Sequence, residues 1–150
     1  MAEKKANYIP ESSNPLLEKF VNQLMWNGKK SVARGIMQDT FDILQKQNKK
    51  PQQVFEKALT NVKPRVEVKP KRVGGAVYQV PVEVKTNRQL TLSIRWILAE
   101  CRKRKGSSMP KKLAQEFNDA SAEMGGAFKK KMDVQRMAEA NKAFAHFARY

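Results

Sequence analysis

Helical periodicity runs along this chain on both sides of residues 64–84 and stops within them. There the pattern turns near-alternating and rich in valine, "PRVEVKPKRVGGAVYQVPVEV", which predicts strand, turn, strand. No other segment offers a strand to pair with these two, so a large sheet is excluded. Pro70 and Pro81, one on each arm, are tolerated where strand edges are free. The expected fold is mainly α: a six-helix bundle with one protruding two-stranded antiparallel β-hairpin, about residues 65–84.

Two turn lengths fit the hairpin. A two-residue Gly74-Gly75 loop pairs Val73 with Ala76 and puts Val66 and Val68 on the face opposite Val80, Val82 and Val84. A three-residue loop, Gly74 to Ala76, pairs Val66 with Val84, Val68 with Val82 and Arg72 with Tyr78. It gathers the valines on one face, which makes it the expected loop. Arms of about eight residues reach roughly 25 Å. An isolated ribbon is marginal in water, so its base is expected to pack on the helices and its tip to order against a partner.

The helices follow from apolar spacing. Residues 15–27 place Leu16, Leu17, Phe20, Val21 and Leu24 on one face, with Asn14 as the cap, Pro15 in the first turn and Gly28 as the stop. A second helix, about Lys30 to Gln47, is expected to turn Val32, Ile36, Thr40, Phe41 and Leu44 inward. A third opens at Pro51 and carries Val54, Phe55, Ala58, Leu59 and Val62. The fourth, about Arg88 to Arg104, has Leu90, Ile94, Ile97, Leu98 and Cys101 on its core side. The fifth opens at Pro110 and carries Leu113, Phe117 and Met124. Gly125-Gly126 is expected to break it, and a sixth, after Lys129–Lys131, presents Val134, Met137, Ala138, Asn141, Phe144 and Ala145. Residues 1–14 read as a flexible arm and 15–150 as a single domain.

Thirty Lys+Arg against fourteen Asp+Glu leave a formal charge of +16 on 150 residues. Such an excess costs stability through self-repulsion and implies a polyanionic partner. It is concentrated: residues 61–112 hold fourteen basic and three acidic side chains, against ten and six in 1–60 and six and five in 113–150. Lys69, Lys71 and Arg72 sit near the glycine tip of the ribbon. Arg88, Arg95 and Arg102 recur every seven residues, drifting only ~20° per step, and form a stripe away from the apolar face of their helix. Lys29 and Lys30 open a helix, where positive charge is mildly unfavourable, so a phosphate partner explains them better. Nucleic acid is the first candidate partner and an anionic membrane surface the second. The alternative to an RNA-binding protein is an architectural DNA-binding protein that inserts a basic β-ribbon into the minor groove, for which a dimer is expected.

Other chemistry is poorly supplied. Cys101 falls on an apolar face, and His146, the only histidine, has no partner constellation. There is no metal-ligand spacing, no glycine-rich phosphate loop and no carboxylate pair. No enzyme, cofactor or metal is expected. No apolar run approaches the ~18 residues of a membrane-spanning helix, and "MAEKKANYIPESSN" lacks the apolar core of a signal peptide. One cysteine fits a reducing compartment, so a soluble intracellular protein with no membrane partner is expected. Tyr78 is expected to cover the ribbon and Trp96 to pack at the core edge.

Three motifs carry a family resemblance. "KFVNQLMWNGKKSVARGIMQDT" (19–40), "NVKPRVEVKPKRVGGAVYQVPVEV" (61–84) and "RMAEANKAFAHF" (136–147) resemble, in order and spacing, the small-subunit ribosomal protein seven family of bacterial and organellar type. The resemblance runs from about residue 15 to 148. It implies a primary binder of small-subunit ribosomal RNA that nucleates folding of the 3′ major domain, the head. It further implies ribosomal proteins eleven and nine as neighbours, no homo-oligomer, and a place in a cytoplasmic or organellar ribosome. RNA contacts are implied at the turn Gly28, Lys29, Lys30 with Arg34; at Lys69, Lys71, Arg72, Gly74 and Gly75; at Arg88, Arg95, Arg102 and Arg104; and at Lys130, Lys131, Arg136 and Lys142. The hairpin tip, Arg72, Val73, Gly74, Gly75 and Ala76, is implied to lie near exit-site tRNA and messenger. The amino terminus departs from the family's arginine-rich arm, and the ending at Tyr150 implies a weaker contact with the neighbouring protein.

Overall fold

The computed structural model describes residues 15–149; the expected amino-terminal arm, 1–14, lies outside them. The helices α1 (Pro15–Leu24), α2 (Lys30–Lys46) and α3 (Pro51–Val62) precede strands β1 (Val66–Val73) and β2 (Ala76–Glu83). Then follow α4 (Thr86–Lys103), α5 (Met109–Ser121), α6 (Gly125–Ala140) and a 3-10 helix, η1 (Lys142–Arg149). The mainly α architecture with one antiparallel hairpin is the one expected, with six α-helices among the described residues.

Three phenyl rings join the bundle. Phe20 of α1 and Phe55 of α3 meet edge to face at 5.5 Å, and Phe55 meets Phe117 of α5 at 5.4 Å in the same way. Phe20 and Phe117 close the triangle at 5.4 Å. All three are fully buried, and α4 seals them with Ile94, Ile97, Leu98 and Cys101. Trp96 packs against this core from its edge, as expected.

The inward face of α2 differs from expectation. Val32 is 57% exposed, and the buried row is Ala33, Met37, Thr40 and Leu44. That row keeps the 3.6-residue period, and Thr40 enters it because its hydroxyl donates to the Ile36 carbonyl at 2.7 Å. Met124 is likewise exposed, since α5 ends at Ser121 and leaves it in the connecting turn.

The sixth helix begins at the glycines and takes Lys129–Lys131 into its early turns, a correction to its expected start after Lys131. Gly125 has φ +87°, and a Cβ there would stand 2.9 Å from Asp119 Cβ. The helix start lies hard against α5, and its orphan N–H groups find a partner there: Ala127 N–H donates to Glu116 Oε1 at 3.1 Å. Glu116 is fully buried, and its Oε2 accepts from Arg104 Nη2 at 2.6 Å. A neighbouring helix supplies what an ordinary capping residue would. Burial pushes the Glu116 carboxyl up, opposed by the Ala127 N–H and the Arg104 guanidinium. The far half of α6 buries only Ala138; Met137 and, beyond it, Ala145 are exposed, against expectation.

The hairpin register is also corrected. Val73 pairs with Ala76, Lys71 with Tyr78, Lys69 with Val80 and Glu67 with Val82, so the loop is Gly74-Gly75 alone. Both glycines have positive φ, +59° and +84°, as a type I′ turn requires, and that turn's twist matches the twist of the strands. The single apolar face that favoured a longer loop is unnecessary, because η1 covers β2 instead. Phe144 and Phe147 each lie 5.0 Å from Tyr78, and Lys71 Nζ donates to the Phe147 carbonyl at 2.6 Å. Val80 is 1% exposed although it lies in mid-ribbon. Below η1, α6 packs along β1.

Two outcomes are expected. Glu116→Ala leaves Arg104 without its main partner and Ala127 N–H unsatisfied, lowering stability in urea unfolding by roughly 3 kcal/mol, the low end for a broken buried pair because Arg104 keeps some water access. Deleting residues 142–150 uncovers Tyr78 and Val80, so amide exchange should accelerate in both strands while α1, α3 and α5 stay protected.

Candidate nucleic-acid interface

The basic residues form a connected surface because two contacts, Glu67 with Arg88 and Arg102 with Trp26, join the elements that carry them. The Glu67 carboxylate on β1 lies 3.3 Å from Lys69 Nζ and 3.7 Å from Arg88 Nη2. It ties the base of the ribbon to the first turn of α4. From Arg88 the stripe continues through Arg95 to Arg102, all exposed, over about 21 Å of helix at 1.5 Å per residue. At the far end the Arg102 guanidinium lies 5.2 Å from the centre of the Trp26 ring. Trp26 stands in the α1–α2 turn, beside Gly28 and the exposed Lys29. The band thus runs from ribbon to turn: Lys69, Arg88, Arg95, Arg102, Lys29.

Within this band the cations differ in how far they are committed. Among the described residues, Arg72 and Arg95 make no ion pair and are exposed. Gly74, Gly75 and Ala76 project with Arg72 at the ribbon tip, and Val73 is half-buried beside them. Lys71 is turned onto the Phe147 carbonyl, which fixes its amine on the flank of the ribbon.

Three of the sequence-derived candidates are turned inward. Arg34 Nη2 holds both oxygens of Glu18 at 2.9 Å, and Lys30 Nζ meets the same carboxylate. Glu18 is buried, so this pair joins α1 to α2. Arg104, half-buried, holds Glu116 and, at 3.4 Å, Asp119. Apolar periodicity gives no sign of these contacts, because the acids sit on different helices from their partners.

The carboxy-terminal set lies along α6 and η1. Lys130 is exposed; Arg136 and Lys142 pair with Asp133 at 3.6 Å and Glu139 at 3.9 Å, each three residues away. Such exposed pairs contribute little and yield easily to a phosphate. Lys131 is half-buried, donates to the Asn61 carbonyl at 2.8 Å, and lines a cavity of about 190 Å³ with Pro64, Arg65, Val66 and Gln135. Burial and the Arg65 guanidinium both push the Lys131 amine down from its ordinary value, with Glu123 opposing. Two cations facing one cavity suit an anion. Arg65 was not among the sequence candidates; its place at the foot of the ribbon, in the most basic third of the chain, is the signal that would have found it.

The remaining reactive groups are occupied structurally. Burial, with the Glu116 charge, pushes the Cys101 thiol up to about 12, so it is a buried apolar group and no nucleophile. His146 packs on Phe147, with ring centres 4.1 Å apart. Among the described residues no cluster of His, Cys, Asp and Glu could hold a metal ion, and no helix is long and apolar enough to cross a membrane.

Residues 1–142 match the family described as ribosomal protein S7p/S5e. The small ribosomal subunit protein uS7 of Thermoanaerobacter pseudethanolicus is 52% identical over 139 residues, 92% of this chain and 89% of that one. Its counterpart in Helicobacter hepaticus is 55% identical over 139 residues, 92% and 90% of the two chains, and that of Solibacter usitatus is 53% identical over 136 residues, 90% and 87%. The chain belongs to the ribosomal protein S7p/S5e family.

Proposed function

We propose that this chain is a structural constituent of the small ribosomal subunit, not an enzyme, and that it binds folded ribosomal RNA with the band running from Lys69 through Arg88, Arg95 and Arg102 to Lys29. The observation that carries the proposal is the connection itself: Glu67 joins ribbon to helix, and Arg102 joins helix to turn. A rigid helical stripe and a slim ribbon, set side by side, contact phosphates on separate RNA segments at once. That is what a protein holding a multi-helix junction has to do. The RNA is the head domain of the small subunit, whose folding the protein nucleates. The ribbon tip, Arg72 to Ala76, reaches toward exit-site tRNA and messenger, where glycines let the backbone approach phosphates closely. Small-subunit proteins eleven and nine are its neighbours in a cytoplasmic ribosome, and the chain acts as a monomer.

A hydroxyl-radical footprint on small-subunit ribosomal RNA tests this, with competition by duplex DNA as its second arm. Protection confined to a junction in the 3′ major domain supports the reading. Preference for duplex DNA at physiological salt would replace it with the architectural DNA-binding alternative.

The separation of free from committed cations gives a sharper expectation. Arg95→Glu and Arg102→Glu should weaken RNA binding strongly with helix content unchanged, and each should reduce the magnitude of the log–log salt slope by roughly 0.7–0.9. Arg104→Ala should instead lower the urea midpoint and leave the slope where it was, since that guanidinium already holds Glu116 and Asp119. Salt titrations of RNA binding, run beside unfolding curves, distinguish the two classes.

A further inference from the structure

Trp26 is 66% exposed, unusual for the largest apolar side chain on a chain whose other tryptophan, Trp96, packs against the core. It stands where α1 ends and the backbone turns through Asn27 and Gly28, with φ of +53° and +72°, into α2. The Arg102 guanidinium sits 5.2 Å from its ring centre, a cation–π contact that orients the indole. Around it lie Lys29 and the exposed Val32, and together these line a shallow cavity of about 90 Å³ with Met25 and Ile36. An aromatic plane is thus fixed at the end of an arginine stripe, with a lysine at its rim.

Three partners could cover such a plane. Core packing is excluded by the exposure. A protein surface would meet an apolar spot flanked by Arg102 and Lys29, both of which it would have to neutralise. A nucleobase meets both needs together: its π-face stacks on the indole, while its own phosphates lie near the two cations. We propose that Trp26, oriented by Arg102, is a stacking platform for an unpaired base of the RNA bound by the basic band. The proposal rests on the RNA-binding reading above and adds an uncharged contact to it.

The test uses the full-length protein and a transcript of the 3′ major domain of small-subunit ribosomal RNA. The chain has two tryptophans, so Trp96→Phe leaves Trp26 as the sole reporter. Its emission should be quenched on adding the transcript. Trp26→Ala should weaken binding roughly 5- to 150-fold, the range for one lost base stack. Trp26→Phe should recover most of that loss. The salt slope should change by less than one phosphate contact in both variants, and circular dichroism should match the parent. Equal affinity of Trp26→Ala and parent, with unquenched emission, would overturn the stacking platform while leaving the band intact. A lowered salt slope without quenching would also overturn it, showing that Trp26 serves only to position Arg102. Unchanged RNA affinity together with lost association with another small-subunit protein would overturn it in favour of a protein contact. Failure of the parent itself to bind the transcript would sink the band and this inference together.

Discussion

Three carboxylates tie cations of one element to another in this chain. Glu116 is fully buried, and the side chains of Glu18 and Glu67 are 11% and 14% exposed. Each holds a cation from another element: Arg104 on Glu116, Lys30 and Arg34 on Glu18, Arg88 on Glu67. Breaking such a pair strands a charge away from water, which costs far more than losing a surface pair. These acids therefore anchor helix ends and the ribbon base, and with fourteen acids against thirty bases few remain to neutralise anything else. What remains of the band, Arg95, Arg102 and Lys29, is charge that no carboxylate among the described residues pairs. Its self-repulsion falls when a polyanion binds, so the same imbalance that weakens the free protein strengthens the complex.

Rigidity underlies the usefulness of that band. The Phe20–Phe55–Phe117 triangle locks α1, α3 and α5 together, and α4 lies directly on it through Ile94, Ile97 and Leu98. The arginine stripe is thus mounted on a helix packed directly on the core, and its three guanidinium groups keep their spacing. The ribbon is held differently. Its base rests on α6, its middle under η1 through Tyr78, Phe144 and Phe147, and only the Gly74-Gly75 end is bare. A two-stranded ribbon alone is marginal; clamped along most of its length, it carries Arg72 outward with little freedom to lose on binding.

Much of this was legible in the sequence, and the parts that were not share a cause. Period-3.6 spacing found the cores of α1, α3 and α4, and alternation with valine found the hairpin, because those signals are local to one element. Glu116 and Glu18 carry no such local signal, because their partners lie on other elements. The α6 start was misplaced for the same reason: Gly125-Gly126 reads as a break until Glu116 is seen accepting the Ala127 N–H. The three-residue loop Gly74 to Ala76 was expected wrongly because a common apolar face was required of the ribbon, whereas η1, some sixty residues on, covers β2. Of the interface, the stripe Arg88, Arg95, Arg102 was visible in the heptad spacing. Trp26 was not, since only tertiary structure brings Arg102 onto its ring.

The shape of the ribbon tip bears on RNA against duplex DNA. Ribbons that kink duplexes through the minor groove drive an apolar wedge between base steps. Here the apex is Gly74-Gly75 followed by Ala76. Pro70 and Pro81 lie further down the arms, paired with Gln79 and Val68. Val77, 59% exposed, is the one large apolar side chain exposed at the tip among the described residues, and it faces across the ladder to Arg72. Nothing at the apex can unstack a base pair. A blunt glycine end beside an arginine suits a phosphate backbone already folded into shape, and the proposed contact along the helical stripe at its foot would take a second RNA segment. A single bent duplex supplies the first surface but not the second.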